Sequence, residues 1–252
     1  MIDNNIQIPL LSLMDMFREI CETQGGEIID HEGRYTTYAS PGSLYSRNFI
    51  LDAEENELDP ILKEIHENIS KGLPGRISFT KETTPENIAV LLEQNGFAPF
   101  ISQTGMIFDL AAGFPEEMDE NIAYMTDEQM VEWSITVAEG FSKPREDEPF
   151  IALNKSDKIL TYGYMDDGKI ASTGMLLLHP EISSIHEITT LPSYRKKGQA
   201  TAIIIRMLQD LKERGFSSVS LQASDMGRDY VYAPLGFESV STIPTYMPAQ
   251  NS

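Results

Sequence analysis

Eight consecutive residues, Tyr194-Arg195-Lys196-Lys197-Gly198-Gln199-Ala200-Thr201, concentrate more chemistry than any other stretch of the chain. They follow a strand-like segment ending at Thr190-Leu191-Pro192 and precede Ala200, Ile203, Ile204, Met207, Leu208 and Leu211, whose spacing traces one helix face. Backbone N–H groups in the first turn of a helix have no intrahelical partner, and the helix dipole makes that end electropositive. A diphosphate laid there meets donors and field together. Gly198 and Ala200 are small enough to let anionic oxygens reach the backbone, and three successive cations add charge. A solvated basic helix start is the other reading of the same run. Neither G-x-x-x-x-G-K-[ST] nor G-x-G-x-x-G occurs, so P-loop and dinucleotide-fold fingerprints are missing and the motif is R-x-x-G-x-A.

The elements around this turn can be read from spacing. Asp127 is placed to cap a helix carried by Met130, Val131, Ile135 and Val137 toward Gly140-Phe141. Residues 158–164 and 170–178 flank the turn Asp166-Asp167-Gly168-Lys169, a strong hairpin signal. A third strand is expected over 184–191, then the basic turn, then a helix from Ala200 that Gly215 stops. Val219 and Leu221 alternate with polar residues as a further strand, followed by a short helix and a last strand. Two segments repeat a pattern: in both Asn95-Gly96-Phe97 and Leu235-Gly236-Phe237 a helix closes at glycine and phenylalanine begins a strand that would close a sheet. Between them, Ala111-Ala112-Gly113-Phe114-Pro115-Glu116-Glu117 reads as a linker. This predicts domains over 1–115 and 116–252.

Composition narrows the function. The 252 residues are 41% hydrophobic and 23% charged, a globular profile with ample core material. Acidic residues number 39 against 19 basic, giving a net charge of −20 that repels nucleic acid and anionic lipid and suits a cationic partner. Most of the bases lie beyond residue 117. One cysteine, Cys21, and four scattered histidines predict neither an internal disulfide nor a metal site. The opening Met1-Ile2-Asp3-Asn4-Asn5 lacks a basic leader region and no long apolar run occurs, so the expected address is the cytoplasm.

Arg195, Gly198 and Ala200, with a strand before them, a helix after, and Tyr232 four residues ahead of Gly236-Phe237, make the chain similar to the GCN5-related N-acetyltransferase (GNAT) family over roughly 120–247. Thr190 to Arg195 and Leu221 to Arg228 resemble a bacterial subgroup with tandem domains, the first a degenerate copy. The resemblance implies an α/β (α+β) protein of two tandem domains, each a mixed, mostly antiparallel sheet flanked by helices. It implies an acyltransferase moving acetyl from acetyl-CoA to a primary amine on a small molecule or peptide, by direct transfer and without metal. On this basis Ile188 and Thr190 pair with the pantetheine arm. The pyrophosphate rests on Arg195, Lys196, Lys197, Gly198, Gln199, Ala200 and Thr201, and the thioester points toward Glu187 and Ser224. Tyr232 is the expected general acid, with Tyr230 as understudy because the stretch between Ser224 and Gly236 is longer than the subgroup's; Pro234 is a further departure, in the helix that aims the tyrosine. Glu187 is the expected acceptor of the amine proton, with His186 in reserve. In the first half, Asp52-Ala53-Glu54-Glu55-Asn56-Glu57 precedes a helix expected over 60–70, and its carboxylates would repel a pyrophosphate. The chain is expected as a monomer or homodimer, and an acyl-CoA-binding sensor or scaffold without turnover is the alternative function.

Overall fold

The computed structural model describes residues 4–40, 43, 45–117 and 119–249. Met1, Ile2 and Asp3 of the opening segment lie outside that set. The chain divides into two compact units, the first formed by residues 1–105, 222–225 and 239–252 and the second by 106–221 and 226–238. The expected cut at 115 thus falls inside the second unit. The physical reason is that the small residues there make a tight turn rather than a tether. Leu110 is buried and its N–H bonds to the Ser217 carbonyl at 2.9 Å, while Phe114 packs edge-on against Phe108.

In chain order the first unit carries α1 (Ile8–Gln24), β1 (Glu27–Asp30), β2 (Thr36–Ala39), β3 (Arg47–Ile50), α2 (Glu55–Ser70), β4 (Ile77–Phe79), α3 (Ile88–Gln94) and the start of β5 (Phe97–Asp109). The second carries β6 (Ile122–Tyr124), α4 (Met130–Phe141), α5 (Asp147–Leu153), β7 (Ile159–Asp166), β8 (Lys169–Leu177), β9 (Ser183–Thr190), α6 (Gln199–Glu213) and β10 (Ser218–Ala223). The last strand, β11 (Glu238–Pro248), joins the first unit between β4 and β5, pairing Thr245 with Ser78 and Tyr246 with Ile77. The strand announced after Phe237 therefore lies inside a sheet, between two neighbours, rather than closing one as the Gly-Phe pattern had predicted. The local reading of that pattern holds: Gly96 and Gly236 have φ of 79° and 104°, and Phe97 and Phe237 are buried.

One order recurs in both units. In the first, β1, β2 and β3 are antiparallel neighbours, and β3 then pairs in parallel with β4 across the intervening α2. In the second, β7, β8 and β9 are antiparallel neighbours, and β9 pairs in parallel with β10 across α6. A parallel pair needs a crossover, and a helix supplies it. The first unit's core lies under α2 and α3, around Ile50, Leu58, Ile61, Phe79 and Leu92, and under α1, around Leu10, Phe17, Tyr38 and Phe49. In the second, α6 buries Ile203, Ile204, Met207, Leu208 and Leu211 as its periodicity predicted. A Cβ on Gly174 of β8 would run into Ile203, Met207 and Ile188, and one on Gly140 of α4 would run into Thr189. Adjacent strand residues point to opposite faces, so α4 and α6 cover the two faces of β8 and β9.

Boundary differences have local causes. Thr126, rather than Asp127, caps the approach to α4 through a capping box with Gln129. Likewise α2 starts at Glu55, ahead of the expected Pro60, because Glu54 and Glu57 form a capping box there. The β7–β8 turn is as read, with Asp167 and Gly168 both left-handed at φ 53° and 75°, the conformation of a two-residue I′ hairpin. The described residues contain no helix long and apolar enough to cross a membrane and no cluster of side chains able to hold a metal ion.

Candidate functional site

The basic turn joins the end of β9 to the start of α6. Lys196 and Gly198 are both left-handed, with φ of 65° and 80°. Such alternation brings successive N–H groups to one side, the arrangement that makes anion-binding concavities. Gly198 is the N-cap of α6 and no side chain caps this end. The first intrahelical bond runs from the Ala202 N–H to the Gly198 carbonyl at 2.9 Å, which leaves the N–H groups of Gln199, Ala200 and Thr201 without an intrahelical partner. A Cβ built on Gly198 meets no heavy atom within 4 Å. Glycine is therefore needed here for its backbone conformation, and the space beside it is open.

The side chains of the turn divide their work. Arg195 faces backbone: its Nε donates to the Thr190 carbonyl at 3.0 Å and its Nη2 to the Gly140 carbonyl at 2.7 Å. The guanidinium thus ties the end of β9 to the last turn of α4. Lys197 pairs with Asp166 at 3.2 Å and lies 4.9 Å from the Tyr194 ring centroid. Gln199 points inward, 3% exposed, accepting from Ser172 Oγ at 2.8 Å and donating to Asp166 at 2.8 Å. Lys196 is exposed and has no ion-pair partner among the described residues. Ala200 and Thr201 are half-buried. A cavity of about 640 Å³ opens beside the turn, walled by Gly198, Thr201 and Ile205 on α6 and by Glu117, Asp119 and Asn121 opposite. In the first unit, the corresponding helix start is closed by its own side chains, with the Glu54 N–H donating to Glu57 at 2.9 Å. Another cavity, about 690 Å³, lies in the first unit among Phe79, Phe100, Ile101 and Tyr246, and contains none of the candidate site residues.

The parallel register of β9 with β10 runs from Ser183–Val219 to Ile185–Leu221, whereas β9 continues to Thr190. The pairing of β8 with β9 shifts between Thr173/Thr189 and Met175/His186, so Glu187 and Ile188 lie opposite the single residue Gly174. That is a bulge, and Glu187 adopts φ 52° within it. Thr173 Oγ1 donates to the Glu187 carbonyl at 2.9 Å, and Thr190 Oγ1 bonds with Ser172 at 2.9 Å. Ile188 packs toward α6.

Glu187 lies toward α4, where Lys143 Nζ donates to its Oε2 at 3.0 Å. Lys143 is placed by the end of α4: Ser142 turns left-handed, and the Lys143 N–H bonds back to the Ala138 carbonyl. Its ammonium lies 5.2 Å from the Phe141 ring centroid and 5.6 Å from that of Phe150. Sequence reasoning missed this lysine, although it had placed the end of a helix at Gly140-Phe141, just before it. The signal was a lysine just past an aromatic helix end, between Ser142 and Pro144.

Tyr232 is 8% exposed and its ring packs edge-on against Phe237, 5.7 Å between centroids. Its hydroxyl has no hydrogen-bond partner among the described residues, and burial pushes the phenol well above its ordinary value of 10. Tyr230, at 79% exposed, projects into solvent. The wide π-helical turn over Arg228–Tyr232 precedes Ala233–Leu235 and accommodates Pro234, which has no N–H to give. His186 is hydrogen-bonded to Ser184 Oγ at 2.7 Å, and burial lowers its imidazole to about 4. Ser224 is exposed at the end of β10 and groups with the first unit. Glu187, Ile188, Thr190, residues 195–201 and Tyr232 all lie in the second unit.

The model of the Acetyltransferase (GNAT) family matches residues 123–237, just under half of the chain. A ribosomal protein bS18-alanine N-acetyltransferase of Escherichia coli is 23% identical over 103 residues, spanning 40% of this chain and 70% of that protein. Among solved structures, a GCN5-related N-acetyltransferase from Kribbella flavida covers 100% of this chain and 98% of its own at 14% identity and a TM-score of 0.76. Another from Sphaerobacter thermophilus covers 99% and 96% at 16% identity, with a TM-score of 0.64.

Proposed function

We propose that the chain, an N-acetyltransferase whose residues 123–237 match the GNAT family model, acetylates primary amines by direct transfer, with Tyr232 as the general acid. The observation that carries this reading is the uncapped start of α6 behind left-handed Gly198. Three amides and a helix dipole converge there in a chain otherwise dominated by acids, and the backbone can take a pyrophosphate without a cation contacting it.

Each part of the site then has a task. Amides 199–201 and Lys196 hold the diphosphate of acetyl-CoA, which supplies the activated thioester. The stretch of β9 beyond Ile185 offers backbone groups to an arm added as a strand. The Thr190 carbonyl already accepts from Arg195, so Ile188 and its neighbours carry more of that pairing. Glu187 takes the proton that the amine sheds as it attacks, and Tyr232 holds a proton for the departing thiolate. Burial keeps that phenol protonated through the neutral range. His186, neutral and turned to Ser184, acts as a strand residue.

The first unit serves as a silent repeat, a reading supported by the shared strand–helix order and by the carboxylates that close α2. The acceptor is an amine of a small molecule or a peptide. The Escherichia coli relative acts on an alanine of a ribosomal protein, which makes a peptide α-amine one class to try. The test is thiol release from acetyl-CoA across a panel of polyamines, lysine peptides and N-terminal alanine peptides, with calorimetry for coenzyme binding. Turnover that falls by two or more orders of magnitude in Tyr232→Phe supports the reading. Binding without turnover on any amine marks a sensor instead, and no binding removes the coenzyme site.

A further inference from the structure

The ε-amine of Lys143 lies beside the carboxylate to which the amine's proton was assigned. It lies 3.0 Å from Glu187, on the β9 bulge just beyond the last β9–β10 pair, with two aromatic rings within 6 Å of the ammonium. The direction of the coenzyme follows from the turn. Its diphosphate is anchored at the start of α6, after the C-terminal end of β9, so an arm laid along the open edge runs back from Thr190 toward His186. Its thioester end then arrives beside Glu187. A lysine whose proton acceptor already touches it stands at that end. We propose, resting on the coenzyme placement above, that Lys143 is an internal acceptor that the enzyme acetylates in cis.

The step balances without a further reactant. The Lys143 ammonium first passes one proton to Glu187; the neutral Nζ then attacks, the N–C bond forms, the C–S bond breaks, and the second N–H proton passes through solvent to restore Tyr232. The leaving CoA thiolate takes the Tyr232 proton. The products are Nε-acetyl-Lys143 and CoA, and the Lys143–Glu187 ion pair is dissolved because the amide is neutral. Once Glu187 has released that proton to solvent, it can take the proton of an incoming amine. The aromatic pair and carboxylate that hold Lys143 also describe an acceptor site suited to a cation.

The chain provides a clean readout. Cleavage after glutamate releases residues 140–146, Gly140-Phe141-Ser142-Lys143-Pro144-Arg145-Glu146, in which Lys143 is the only lysine. The purified full chain is incubated with carbon-13-labelled acetyl-CoA and the label is followed by mass spectrometry at Lys143 and at the exposed Lys155 and Lys169. Uncatalysed acetylation favours exposed amines, and the Lys143 side chain is only 26% exposed. The expected result is labelling of Lys143 at least tenfold faster than of Lys155 or Lys169, at a rate independent of protein concentration, and slowed at least tenfold in Tyr232→Phe at that site alone. Lys143→Arg keeps the cation between the rings and abolishes the labelled peptide. Labelling of Lys143 no faster than of the exposed lysines overturns the proposal, as does a rate that rises with protein concentration. If amines in the panel are acetylated while Lys143 stays unlabelled, only the internal acceptor fails. If no amine is acetylated and no coenzyme binds, the placement it rests on fails as well.

Discussion

Gly198 offers the cleanest perturbation, because its two requirements can be separated. At φ 80° a non-glycine residue pays about 1–2 kcal/mol in backbone strain. A Cβ there meets nothing within 4 Å, so no steric cost within the protein is added. Gly198→Leu should therefore fold, with a melting temperature lower by roughly 2–8 °C. The open space that the leucine enters is the space an anion must cross to reach amides 199–201. Loss of two hydrogen bonds to a charged group, each about 1.5–3 kcal/mol, amounts to about 3–6 kcal/mol, or roughly 10²–10⁴-fold in Kd for CoA. Gly198→Asn separates strain from bulk, since asparagine visits the left-handed region readily. It should melt close to wild type and still bind CoA at least tenfold more weakly. The assay is titration calorimetry with CoA beside a thermal melt of each variant. A folded Gly198→Leu chain that binds CoA within twofold of wild type would refute the account of the turn.

Other outcomes follow from named contacts. Tyr232→Phe should lower kcat by about 10²–10⁴ with CoA affinity within twofold of wild type, as a stopped thiol assay and calorimetry together would show. Because burial raises that phenol above 10, wild-type kcat should show no alkaline fall assignable to it below pH 10. Arg195→Ala removes two bonds to backbone carbonyls, so it should lower the melting temperature by a few degrees, with CoA affinity reduced no more than tenfold; a large affinity loss without destabilisation would mean a direct phosphate contact. For His186, the folded chain binds the proton less readily than the unfolded one between the ordinary 6.5 and about 4. Stability from this group is complete above 6.5 and is lost as pH falls toward 4. His186→Gln should flatten melting temperature against pH in that window and leave kcat at neutral pH within threefold. Gly140→Ala places a Cβ 2.4 Å from Thr189 Oγ1 and should cost roughly 1–3 kcal/mol, read as a lower denaturation midpoint.

What could be read beforehand was local. The left-handed turn at Asp167-Gly168, the glycine caps before Phe97 and Phe237, and the buried face of α6 each depend on a few neighbouring residues, and each is where the pattern put it. What escaped depends on partners distant in sequence. Alternation over 238–248 announces a strand but not its neighbour, and β11 pairs with β4 some 167 residues away through Ser78 and Thr245. Arg195 reads as one of three cations, yet its planar fork suits two carbonyls at the junction of β9 and α4, and only the folded chain brings Gly140 within its reach. Which of Tyr230 and Tyr232 is buried depends on a π-helical turn, which breaks the 3.6-residue period that any sequence count assumes.

The two crossover helices make the point about function most directly. Both α2 and α6 connect a parallel pair of strands, so both begin where a chain leaves a strand end and exposes unpaired amides. At α2, Glu54 and Glu57 fill that position with a reciprocal pair of hydrogen bonds, and their charge favours the dipole while repelling any external anion. At α6, Gly198 supplies the cap without a side chain, and Gln199, which follows it, turns inward to Ser172 and Asp166 rather than back over the helix end. The same fold thus yields a sealed helix start and an open one. The difference lies in whether the first residues spend their polar groups on their own amides or leave those amides for a ligand.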